Sequence, residues 1–311
     1  VQKTIKKKQM KKIIYTLSFL LVSFIANAQD DLLNMLNSEQ PKKSIPVFAT
    51  FKATRLITMQ SNETVAKKHL NFVILHRFGE VNKGAYELWG MDQAYMRLAF
   101  DYGLTDNIQI GIGRSSPSKV YDGNVKWKII KQASGGSPVG ITYYGNMAFN
   151  TSEFSDKNID NYFTSRLTYC NQILLTKKFN DAFSVLLAPS MVHKNLVTYN
   201  NDANTIFSVG VGASIKITRS TRFNIEYYPR LNGRDDYLDI QKTQKTYDYL
   251  GLGFDIETGG HVFQMMFCNA TGMYEQAAIA QTTTTWSDMG IRLGFNLSRT
   301  FSMNSSKEKK W

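Results

Sequence analysis

The residues able to do catalysis or bind a metal are few. His69, His76, His193 and His261 show no H-x-x-x-H spacing, and Cys170 and Cys268 belong to no C-x-x-C pair. The sequence therefore predicts neither a metal site nor a cofactor. Ser190 and His193 lie three residues apart. On an extended strand that spacing puts them on opposite faces, which rules out a nucleophile–base pair. Gly111-Ile112-Gly113 and Gly210-Val211-Gly212 sit inside alternating stretches. Glycine there marks close packing or a bend, not a phosphate loop. The chain reads as no enzyme, and its two cysteines read as unpaired strand residues.

Charge is what remains. Arg97, Asp101, Arg114, Lys126, Lys128, Arg166, Arg222, Glu226, Arg230, Asp255, Glu257 and Arg292 are expected to point into an interior lumen. Rings of basic residues favour anions in a pore. The competing reading is that these charges pair across neighbouring strands and fill the interior. His76, Arg77 and Asp92 flank the irregular stretch Gly79–Asp92. They form a constriction if that stretch folds inward, and a corner held by ion pairs if it does not.

These side chains would be positioned by strands, because the dominant pattern from Val47 onward has period two. Phe207, Val209, Val211, Ala213, Ile215 and Ile217 alternate with Ser208, Gly210, Gly212, Ser214 and Lys216. Leu250, Leu252, Phe254 and Ile256 alternate with Gly251, Gly253, Asp255 and Glu257. The alternating runs are about 9–13 residues long, longer than the roughly 5–6 of a soluble strand and right for a tilted membrane strand. Short connections alternate with long polar ones. The prediction is an all-β chain, a transmembrane antiparallel up-and-down β-barrel over residues 47–301. Strands are placed near 47–58, 68–78, 93–103, 108–115, 121–132, 139–150, 162–176, 183–193, 205–218, 222–231, 247–258, 261–270 and 288–301. That is one too many or too few for an even-numbered barrel, so about twelve strands are expected, with fourteen the alternative. Alternation is weakest over 47–92.

The N-terminus reads as an address. Lys6, Lys7, Lys8, Lys11 and Lys12 precede an apolar stretch from Ile13 to Ile25, then Ala26-Asn27-Ala28 before Gln29. That is a secretory signal peptide over residues 1–28. Met10 is the expected start, with residues 1–9 not translated. Residues 29–46 read as a periplasmic N-terminal segment, either a tail leading into the barrel or a docking or plug element. Residues 302–311 read as a polar tail. The chain carries 37 basic and 25 acidic residues, a net +12, and six of the lysines fall in residues 1–28. The remaining charges are scattered, which excludes a nucleic-acid partner.

Several strings resemble a family of Gram-negative barrel proteins catalogued as a domain of unknown function. They are His76-Arg77-Phe78-Gly79, Trp89-Gly90-Met91-Asp92, Asp101-Tyr102-Gly103, Gly113-Arg114-Ser115-Ser116 with Lys119, and Gly294-Phe295-Asn296. The resemblance spans most of 47–301 and implies a membrane barrel without a known activity. The expected location is the bacterial outer membrane, with its lipid as a partner and small solutes or periplasmic proteins as further partners. Oligomeric state is not predicted. The functional expectation is a passive channel or transporter for small solutes, with a structural or interaction platform as the alternative. A lumen filled by side chains would nearly exclude transport.

Overall fold

The computed structural model describes residues 44–153, 162–197, 202–233 and 245–303. The predicted signal peptide, residues 29–43 and residues 304–311 of the tail lie outside the described residues.

Twelve strands form the wall. They are β1 His69–Glu80, β2 Ala94–Gly103, β3 Ile108–Ser115, β4 Val120–Ile130, β5 Gly140–Asn150, β6 Leu167–Lys178, β7 Phe183–Lys194, β8 Thr205–Lys216, β9 Thr221–Tyr228, β10 Tyr249–Thr258, β11 His261–Cys268 and β12 Arg292–Ser302. Each pairs antiparallel with its neighbours in sequence, and β12 returns to β1 with Phe301 opposite Leu70. Closure leaves the barrel sheet no open edge. A further two-residue ladder joins Ile45–Pro46 to Ala133–Ser134 at the turn after β4. No described helix is long and apolar enough to cross a membrane.

The period-two pattern decides which way the wall faces. Phe100, Ile110, Ile112, Trp127, Phe207, Val211 and Phe254 are all exposed on the outside. So large an apolar surface would be untenable in water but suits a lipid-facing wall. Neighbouring strands also stack aromatic rings, Phe72 on Phe100 at 4.9 Å and Phe223 against Phe254 at 5.2 Å.

The predicted strand near 47–58 is absent from the wall. Its physical fault is that both faces are mixed: Arg55 alternates with Phe51 and Ile57 on one, Lys52 with Leu56 on the other. Neither face can meet lipid. Instead the segment is a hairpin inside the barrel, with Leu56 N–H donating to Met59 O at 2.8 Å and Ser61 N–H to Thr54 O at 3.0 Å. Removing this strand from the thirteen leaves the twelve observed. The stretch Gly79–Asp92 does not fold inward. It forms exposed 3-10 turns over Val81–Lys83 and Ala85–Gly90. The loop after β11 does fold inward, and it carries one short helix, α1 Glu275–Ala280, buried along its whole length.

Candidate functional site in the barrel lumen

A closed barrel of eight strands is filled by its own side chains, whereas barrels of sixteen or more leave an aqueous channel. Twelve strands fall between, and here the space is taken by chain segments. The hairpin enters from the end with the short turns, where Lys52 pairs with the Glu257 carboxylate and Thr64 donates to Asp106 O. The loop bearing α1 enters from the end with the long loops. The two meet inside.

Wall residues hold the hairpin chiefly through polar contacts. At its tip Glu226 on β9 accepts the backbone N–H groups of Ile57 at 3.0 Å, Thr58 at 2.7 Å and Met59 at 3.0 Å, and the Tyr249 hydroxyl at 2.6 Å. Three converging amides are a local anion cradle, and a buried carboxylate needs such partners. Further round the same side of the wall, the Asn296 amide of β12 donates to Ile57 O at 2.9 Å and the Gln264 amide of β11 to Leu56 O at 2.6 Å. Arg77 bridges Asn296 and the Thr58 hydroxyl. Lys126 donates to Thr54 O at 2.9 Å and Glu63 O at 3.0 Å, and Gln109 accepts the Val65 N–H at 2.9 Å.

The helix adds a second layer. Glu275 receives Arg55 at 2.9 Å and Gln60 at 2.7 Å from the hairpin, and the Tyr144 hydroxyl of β5 at 2.9 Å. Gln276 donates to Asn146 at 2.6 Å, and Asn146 to Asp122 at 3.2 Å. Arg97 grips Asp122 through Nε at 3.1 Å and Nη2 at 2.6 Å. The side of the lumen lined by β6, β7 and β8 mixes apolar residues with Gln172, Thr176, Ser190 and Ser214. There Leu174, Leu186, Ala188 and Val192 pack with Phe51, Leu56 and Met59 of the hairpin and Ile279 of α1. A Cβ on Gly212 would lie 2.7 Å from Leu56 Cδ2, and one on Gly210 would lie 2.8 Å from Met59 Cε. Bare glycine backbone is what admits the hairpin this close.

Of the twelve predicted lumen residues, Arg97, Asp101, Lys126, Arg222, Glu226, Asp255 and Arg292 point inward and are buried. Lys128 does so partly, 3.7 Å from the Glu63 carboxylate. Glu257 lies at the rim beside Lys52 rather than within the lumen. Arg166 precedes β6 in a 3-10 turn, and with Arg230 it lines the mouth at the long-loop end. Arg114 is a correction. Its parity is that of Ile110 and Ile112, so it faces outward, with its guanidinium 5.4 Å over the Tyr121 ring. Two of the three constriction candidates are also corrected. His76 is on the outer face, stacked on Phe295 at 4.9 Å, and Asp92 is exposed in the loop before β2. Arg77 alone reaches the interior.

Sequence reading missed Arg55, Gln60 and Glu275. The available signals were the two-faced polarity of 50–60 and the run Ala277–Ala280, too apolar for a solvated outer loop. Ser190 is buried inward while His193 lies on the outer side with Nδ1 at 2.8 Å from the Thr205 hydroxyl. Both cysteines are free and buried. Among the described residues no three His, Cys, Asp or Glu side chains cluster as a metal site would need.

A family model described as a membrane bound beta barrel domain (DUF5777) matches residues 51–301. The chain belongs to that family. The match begins at Phe51, so the hairpin lies within the family's domain rather than ahead of it. The protein is a barrel of the bacterial outer membrane, with its apolar wall against lipid. Similar solved structures include an outer membrane channel from Pseudomonas putida F1, at 11% identity and TM-score 0.47, covering 78% of this chain and 98% of that one. An active-site mutant of outer membrane phospholipase A from Escherichia coli gives 11% identity and TM-score 0.42, covering 80% and 97%. Omp33 from Acinetobacter baumannii gives 6% and 0.37, covering 76% and 99%. A channel and an enzyme both occur among them, so they do not choose an activity. No curated protein matches the sequence.

Proposed function

We propose that the protein is an outer-membrane channel for small solutes that its own hairpin and α1 loop hold shut. The observation that carries this is the way the hairpin is docked. No disulfide among the described residues ties it to the wall, and it is held mainly through carboxylate, amide and ammonium groups that water can replace. Such hydrogen bonds contribute about 0.5–1.5 kcal/mol net between neutral groups and about 1.5–3 kcal/mol to charged ones, because water competes for both partners. Water can therefore take over each of these polar contacts when the hairpin leaves. Short turns of outer-membrane barrels face the periplasm. The hairpin enters at that end and would withdraw toward it, uncovering a passage lined by Arg77, Arg97, Asp122, Lys126 and Glu226.

Solute efflux from proteoliposomes tests this reading. Vesicles with the full chain should retain a small hydrophilic solute, and vesicles with a variant lacking residues 50–63 should leak it. A deletion variant that migrates as a folded barrel yet seals as tightly as the full chain would refute the reading.

A further inference from the structure

The hairpin is itself a stretch of peptide, and the wall holds it largely by its main chain. The Glu226 carboxylate accepts the N–H groups of Ile57, Thr58 and Met59. The Lys126 ammonium donates to the carbonyl oxygens of Thr54 and Glu63, and the Asn296 amide to that of Ile57. The Gln264 amide donates to the carbonyl oxygens of Arg55, at 3.2 Å, and Leu56. Gln109 accepts the Val65 N–H. All five wall side chains are buried under the docked hairpin. Contacts of this kind recognise peptide groups and leave the side chains of the bound chain largely unspecified. The two legs of the hairpin also carry opposite charges to opposite walls. Lys52 pairs with Glu257 of β10, and the Glu63 carboxylate lies 3.7 Å from Lys128 of β4. Those two strands are six places apart in the ring of twelve, so they face each other across the lumen. At the short-turn end the wall therefore offers an ammonium on one side and a carboxylate on the other.

We propose that the lumen binds and passes short peptides, and that the hairpin occupies their site while the barrel is shut. The proposal rests on the channel reading and gives it a substrate class. A peptide taking the place of the hairpin meets donors for its carbonyl oxygens in Lys126, Gln264 and Asn296, and acceptors for its N–H groups in Glu226 and Gln109. Its terminal carboxylate finds Lys128, and its terminal ammonium finds Glu257, the partners that Glu63 and Lys52 hold in the shut state. An apolar side chain has room where Leu56 now lies, against the bare backbone of Gly212. A sugar alcohol of similar size can bond to the same wall through its hydroxyl groups. It has no charged ends to be drawn to opposite walls, and no amide to match the alternation of donor and acceptor.

Uptake by proteoliposomes containing the variant that lacks residues 50–63 tests it, with triglycine and the neutral polyol sorbitol as probes of similar mass. Triglycine should enter several-fold faster than sorbitol. N-acetyltriglycine and triglycine amide, each lacking one terminal charge, should fall between the two. Glu226→Gln and Lys126→Met, each added to the deletion variant, should lower the triglycine-to-sorbitol ratio several-fold. Glu275→Gln, which keeps the whole chain, should give the same order at lower rates, and it carries the test if the deletion variant does not fold. Equal entry of triglycine and sorbitol, or a ratio unchanged by both substitutions, would overturn the proposal and leave the channel reading standing. Entry of no probe through either folded variant would overturn the channel reading and this proposal with it.

Discussion

Arg55 and Glu275 meet 2.9 Å apart in the middle of the barrel, 3% and 0% exposed, although one arrives from the short-turn end and the other from the long-loop end. Neither segment crosses the lumen alone. The pair, with Gln60 and Tyr144 on the same carboxylate, joins two plugs into one.

Breaking this pair on one side should loosen the plug. Removing one partner of a buried ion pair costs about 3–5 kcal/mol, because the other charge is left without compensation. Glu275→Gln is expected to destabilise the docked hairpin by that order and to speed protease cleavage within residues 50–63. The double variant Arg55→Met/Glu275→Met should recover much of the loss. Equal cleavage rates in wild type and Glu275→Gln would show that the pair does not hold the hairpin.

Glu226 is the second anchor. Hydrogen bonds to a charged group are worth about 1.5–3 kcal/mol, and Glu226 accepts three from the hairpin tip. Glu226→Ala should expose the amides of Ile57, Thr58 and Met59 to hydrogen exchange while the strand amides of β9 stay protected. Protection that is lost equally across β9 would mean that the residue supports the wall instead.

The glycines of β8 offer a steric test. Gly212→Val places a branched side chain where Leu56 lies, whereas a side chain at Gly210 would first meet Tyr228 of the wall, 2.5 Å away. Overpacking of this kind costs about 1–3 kcal/mol. Gly212→Val is expected to form a barrel, since the outward residues of β8 are untouched, and should leak solute from vesicles. Retention as tight as in wild type would indicate that the hairpin can shift aside without leaving.

The cysteines report on the same event without engineering. Cys170 and Cys268 are fully buried in the cluster that contains Phe51 and Met59. Thiol labelling should be negligible in the folded full chain and rapid once residues 50–63 are removed. Slow labelling in the deletion variant would mean that the wall closes over the vacated space.

Much of the wall was legible because lipid imposes a period-two code on every strand. Thr205–Lys216 and Tyr249–Thr258 show it cleanly, and their ends fell within two residues of expectation. Arg114 shows the limit: its parity with Ile112 already pointed outward, but its charge suggested otherwise. At a strand's end a long guanidinium can lie over a Tyr ring and leave the apolar layer. The plug was not legible, because a segment buried inside a polar lumen obeys no period. Hairpin residues find partners far away in the chain, Arg55 in Glu275 of α1 and Thr58 in Glu226 of β9, 168 positions away. Only negative signs were available: a stretch with no possible lipid face, and an outer loop with the apolar run Ala277–Ala280.

Planar-bilayer recording tests the central claim most directly. The full chain should insert as a silent barrel with brief openings, Glu275→Gln should open more often, and the variant lacking residues 50–63 should conduct steadily. Folded deletion barrels with no conductance at any voltage, or steady conductance from the intact chain, would contradict a hairpin-gated channel.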